Sequence, residues 1–141
     1  MAAGGYRIVD EPAPSALGRL AANPFWIVLS GMLLPAAFAS TSFEAQPLVL
    51  LWFAVNSFAL SSPTRRAEIL WAVAGGAIVA VFHALPSRLL AAGLVEVPTL
   101  RAAFPYLEIL RSAIDLTVLY RLFLYQVGPY QLHRYLHPDR A

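Results

Sequence analysis

Cysteine and lysine are both absent from this chain, and charge of either sign is scarce. Without cysteine there is no disulfide, no thiolate metal site and no cysteine nucleophile. All ten basic residues are arginine, and only 13% of residues are charged, against about 25% in soluble domains. No glycine-rich phosphate loop, no Gly-x-Ser-x-Gly elbow and no HExxH motif occurs. There is no internal repeat and no low-complexity segment. The net charge of +2 comes from scattered arginines, so no basic patch points to nucleic acid. The absence of lysine beside abundant alanine, leucine, valine and proline reads as the codon bias of a GC-rich bacterial genome.

What is present is hydrophobicity. The chain has 141 residues, 59% of them hydrophobic, and a mean hydropathy of +0.63. This composition predicts an all-α integral membrane protein with about four transmembrane helices. Residues 1–23 read as a cytoplasmic tail with a short interfacial turn at Ser15–Ala22, residues 24–127 as the transmembrane domain, and residues 128–141 as a second cytoplasmic tail. The first span is Pro24–Phe43, kinked by Pro35 and opened by Phe25 and Trp26 at the level of an interfacial aromatic belt. Ala37-Phe38-Ala39 resembles a signal-peptidase site, but the polar stretch before it is long, and the segment is read as retained. The second span is Pro47–Ser62 and the third Ile69–Leu85, with Thr64 as the cap of the third and Glu68 in its first turn. Ser40, Thr41 and Ser42 read as helix-end caps. Residues 86–103 are apolar but too short to cross, and read as an interfacial or re-entrant segment. The fourth span is Phe104–Val127, stopped by Gly128 and Pro129.

That fourth span is the unusual one. It carries Glu108, Arg111, Asp115 and Arg121, whereas the other apolar runs are nearly free of charge. A charge at the bilayer centre costs roughly 2.5–3.5 kcal/mol on insertion scales. Glu108, Arg111 and Asp115 are spaced three and four apart and share one helix face, so Arg111 can pair with either carboxylate. Such a stripe must face other helices, a partner or a water-filled cavity. It reads as a self-neutralised network at a helix interface, with a proton or ion path as the alternative. Arg121 lies on another face and is expected to snorkel toward the interface.

Other polar groups are few. Asn56, alone in the second span, is expected to bond to another helix. His83 reads as a hydrogen-bonded interfacial residue; a haem would want a second histidine inside another span, and none exists. His133 and His137 have the i, i+4 spacing of a shared metal, with Asp139 as a third ligand, but Pro138 interrupts, and three histidines in all are too few for a diiron membrane enzyme. Ala72, Gly76, Ala80 and Ala84 form a small-residue stripe that lets a helix approach closely. The arginines favour both termini in the cytoplasm of a bacterial inner membrane, with Arg88 and Arg101 on the opposing side. The expected role is a non-catalytic membrane subunit or assembly factor that contacts the lipid bilayer and other integral membrane subunits or copies of itself. A small oligomeric transporter using Glu108, Arg111 and Asp115 is the alternative.

Overall fold

The structure is a computed structural model and describes residues 16–37 and 46–137. Four α-helices follow a short 3-10 helix (Ala16–Leu20): α1 (Pro24–Ala37), α2 (Gln46–Ala59), α3 (Arg65–Ala91) and α4 (Val97–Leu136). The described residues contain no strand. The protein is therefore all-helical. Of the four helices, α3 alone is long and apolar enough to cross a membrane, by length and composition.

The helices form a ring in which α1 touches α2, α2 touches α3, α3 touches α4, and α4 closes back on α1. Ile27, Val49, Leu50, Phe53, Ala72, Val118, Leu119 and Leu122 fill its centre. Two glycines set the closest approaches. Gly31 presents its Cα where a Cβ would stand 3.0 Å from both Leu119 and Val49, which seats α1 on α2 and α4. A Cβ on Gly75 would lie 2.8 Å from Val118 Cγ1, which seats α3 on α4. The face that α3 turns inward is Glu68, Ala72, Gly75 and Val79, an i, i+4, i+7, i+11 stripe.

Helix ends follow backbone rules that apolarity alone does not reveal. Ser61 takes a left-handed φ of 49°, its N–H donates to Phe58 O at 3.1 Å, and Ser62 N–H donates to Ser57 O at 3.0 Å. That pair is a Schellman stop for α2. Gly93 repeats it for α3: its φ is 67°, its N–H reaches Leu90 O at 3.0 Å, and Leu94 N–H reaches Leu89 O at 3.1 Å. Thr64 does sit at the N-cap of α3 but makes no side-chain capping bond, because its hydroxyl turns to Glu68 instead.

Two expected boundaries differ. Residues 86–103 form no separate interfacial element: α3 continues through Pro86 to Ala91, a short turn follows, and α4 begins at Val97. Gly128 and Pro129 do not stop α4, which runs on to Leu136. A proline within a helix removes one backbone hydrogen bond and crowds the carbonyl four residues earlier. That loss is tolerated where helix continues on both sides. The turn expected near Ser15–Ala22 is the 3-10 helix Ala16–Leu20. Pro35 falls in the last turn of α1, and Ser15, Ser40, Thr41, Ser42 and Glu44 lie outside the described residues.

The lengths are unequal. At about 1.5 Å per residue, α1 and α2 are each about 21 Å long, α3 about 40 Å and α4 about 60 Å. Past Val79, the last buried residue of α3, that helix runs about 18 Å further, to Ala91. With the start of α4 it forms an arm whose Val81, Leu94, Val97, Phe104, Tyr106 and Ile109 are exposed.

Gly75→Ala is expected to lower stability by about 1–3 kcal/mol through overpacking against Val118, with Val118→Ala in the same chain restoring part of the loss. Gly76→Ala, whose Cβ would meet only Leu50 Cδ1 at 3.9 Å, is expected to be neutral or to gain up to about 1 kcal/mol. Ser61→Gly should gain about 0.5–1 kcal/mol by removing a left-handed side chain. Thermal unfolding of the purified variants measures all three.

Candidate functional site

A connected seam of buried polar groups crosses one end of the ring. It starts in the chain just before α1, where Ala22 lies outside helical pairing. Asn56 of α2 accepts the Ala22 N–H at 2.7 Å and donates to the Ala22 carbonyl at 3.0 Å. Its amide also donates to Gln126 Oε1 of α4 at 2.8 Å. Gln126 Nε2 in turn donates to Phe53 O at 2.8 Å and to Glu68 Oε2 of α3 at 2.7 Å. Glu68 Oε1 then accepts from the hydroxyls of Ser62 and of Thr64, the latter at 2.7 Å.

Asn56, Glu68 and Gln126 are each 0% exposed. Burying an amide or a carboxylate without partners costs roughly 1–3 kcal/mol or more per group. Here each primary amide has two N–H donors, and all four find acceptors. The carboxylate receives three donors from two elements. The Schellman turn at Ser61 is what brings Ser62 back to α3. The seam joins α2, α3, α4 and the chain ahead of α1 through side chains that satisfy one another.

Asn56, expected to bond across helices, is central to the seam. Glu68 and Gln126 were not expected in it. Glu68 read as a dipole-compensating first-turn acid, and Gln126 was hidden in the run Leu122-Phe123-Leu124-Tyr125. One signal was available: Gln126 falls on the same helical face as Leu119 and Leu122, so its amide points where an apolar side chain would be expected.

The Glu108, Arg111 and Asp115 stripe lies in the arm, away from the seam. Arg111 Nη2 meets Glu108 Oε2 at 3.1 Å, with side chains 26% and 40% exposed. Asp115 is half-buried, and both it and the exposed His83 are engaged in polar or ring contacts. Glu108, Asp115 and Leu122 are spaced by seven, as are Arg111 and Val118, so the stripe extends the face that packs on α3. Arg121 is exposed, with its guanidinium 5.9 Å from the Trp71 ring centroid, a cation–π distance. Ala72 is buried, Gly76 half-buried, and Ala80 and Ala84 exposed.

A second polar feature sits where the 3-10 helix meets the end of α4. Gly18, Arg19, Ala21, Tyr130, His133, Arg134 and His137 line a cleft of about 370 Å³. The His133 and His137 rings are edge-to-face at 4.8 Å. Among the described residues no group of three or more His, Cys, Asp and Glu stands close enough to hold a metal ion, and Asp139 lies outside them.

No family model matches the chain, and no curated protein or solved structure is significantly similar to it.

Asn56→Leu and Gln126→Leu each strand several buried partners and are expected to cost about 2–4 kcal/mol. The double variant should cost clearly less than the sum, because both changes break the same bond. Chemical denaturation of the four chains measures the cycle; strict additivity would show that the seam is not one unit.

Proposed function

We propose that this protein is a non-catalytic integral membrane subunit, or assembly and stabilising factor, of a larger bacterial inner-membrane complex. One observation carries the reading. The most apolar window of α3 has a mean hydropathy of 1.9, yet only 17% of it is buried within the chain. A core helix of a soluble protein with that composition would be covered by its own fold. The uncovered apolar surface continues on α4 through Phe104, Ile109, Leu110 and Leu116. Exposed apolar area on this scale needs lipid or a partner protein.

The placement of charge supports the expected orientation. The Ala22–Asn56 and Asn56–Gln126 bonds bring the start of α1, the end of α2 and the late part of α4 to one end of the ring. Arg19, Arg65, Arg66 and Arg134 are at that end, which favours it as the cytoplasmic side by the positive-inside rule. Four spans then require the turn between α3 and α4 to lie on the opposite side. The bilayer core is about 30 Å thick, so the short α1 and α2 are the spans that need local thinning or neighbouring helices.

The second reading, a small oligomeric transporter or channel, draws on the half-exposed Glu108, Arg111 and Asp115 stripe. A second copy placed against the arm would complete its burial and leave a charged path between copies.

Gentle detergent extraction of the native membrane, followed by size measurement and mass spectrometry, separates the readings. The subunit reading expects larger membrane proteins to co-purify in fixed stoichiometry. A homo-oligomer alone would overturn it and favour the second reading, under which Asp115→Asn abolishes flux in reconstituted vesicles. Recovery of the protein in the soluble fraction would overturn both.

A further inference from the structure

We propose that the cleft between the 3-10 helix and the end of α4 binds a phosphate group. Its lining includes Arg19 and Arg134, on two different elements, together with His133, His137 and Tyr130. Among the described residues no carboxylate lines it. Guanidinium groups present paired donors in a planar fork that matches the oxygens of phosphate, and phenol and imidazole add single donors. The two histidines alone would suit a cation, but the two arginines that share their cleft make its field positive. Gly18 and Ala21 on the opposite wall add no bulk, and about 370 Å³ is in the range of small-ligand sites, roughly 300–1,000 Å³.

The surroundings indicate what carries the phosphate. Leu17 and Leu20 on the 3-10 helix and Leu132 and Leu136 on α4, the segments that build the cleft, are all exposed. A basic cleft with an apolar collar accommodates a headgroup with its acyl chains lying outside. A free phosphate ester offers the same charged group without the chains. A second arginine pair serves as an internal comparison: Arg65 and Arg66 border a smaller hollow of about 310 Å³, formed by the single segment Ser62–Ala67. It carries equal charge but draws on one element only.

The test uses the full chain, purified and delipidated in neutral detergent. Phosphatidylglycerol and phosphatidylcholine are added in turn and retention is read by native mass spectrometry; inorganic phosphate is titrated separately by calorimetry. Retention of phosphatidylglycerol over phosphatidylcholine is expected, with Arg19→Gln and Arg134→Gln each weakening it about fivefold. The Arg65→Gln/Arg66→Gln double variant should leave it unchanged. Binding of inorganic phosphate with no lipid retained supports the same site with a soluble source. Equal weakening by the two arginine pairs, or no binding of either probe, overturns the proposal. The site rests on the cleft and not on the membrane reading, because the inorganic phosphate arm stands even if the protein is found outside the membrane. Arg19 and Arg134 are exposed, so circular dichroism of the variants is expected to match that of the parent chain.

Discussion

The structure depends on one chain of hydrogen bonds, from the Ala22 backbone through Asn56 and Gln126 to Glu68. Apolar packing between alanine-rich helices is tolerant of sliding and rotation, since many small side chains fit many neighbours. A buried amide is not tolerant: it has fixed donors and acceptors, and each must be met. By meeting them with groups from α2, α3, α4 and the chain before α1, the seam selects one rotational setting for each helix. The close contacts at Gly31 and Gly75 then refine that setting below it. The apolar core supplies most of the driving force, and the polar layer supplies the specificity.

The rest of the molecule is arranged around that layer. On one side lie Arg19, Arg65, Arg66, Arg134 and the basic cleft. On the other the ring closes on its core and then opens into the α3–α4 arm, where burial is replaced by exposure. The charged stripe of α4 begins where the core ends. Its Glu108–Arg111 pair is half-exposed within the chain, a modest local gain of a few tenths of a kcal/mol in water. The same pair in a lipid or protein environment would matter far more. The arm is thus the part whose energetics are set by whatever surrounds it.

Much of this was legible in the residues. Each of the four apolar runs is helical where described, because leucine and alanine favour the helix strongly enough to carry the few glycines and prolines inside it. Asn56 was readable as a cross-helix bond from its isolation. The boundaries were harder. Gly93 followed by Pro98 is a helix stop and restart, but apolar residues on both sides made 86–103 look like one segment. Gly128 and Pro129 looked like a stop, and only the helical continuation through Leu132 and Leu136 shows otherwise. Gly75 rather than Gly76 makes the close approach, a one-residue difference of about 100° around the helix that a stripe of several small residues does not resolve. Gln126 and Glu68 were missed because their meaning lies in a tertiary meeting 58 residues apart in sequence.

The seam also bears on the order in which the chain comes together. The Ala22–Asn56 bonds join residues 34 apart in sequence, the Glu68–Gln126 bond residues 58 apart and the Asn56–Gln126 bond residues 70 apart. Short-range closures are entropically cheaper and faster. By that rule the two closures that need Gln126 follow the meeting of Ala22 and Asn56. Until Gln126 arrives, one N–H of the Asn56 amide lacks its acceptor and the Glu68 carboxylate lacks one of its three donors. An unfinished chain thus displays an unmet polar group that the finished one conceals, a built-in sign of incompleteness at the moment when a nascent protein is most open to inspection.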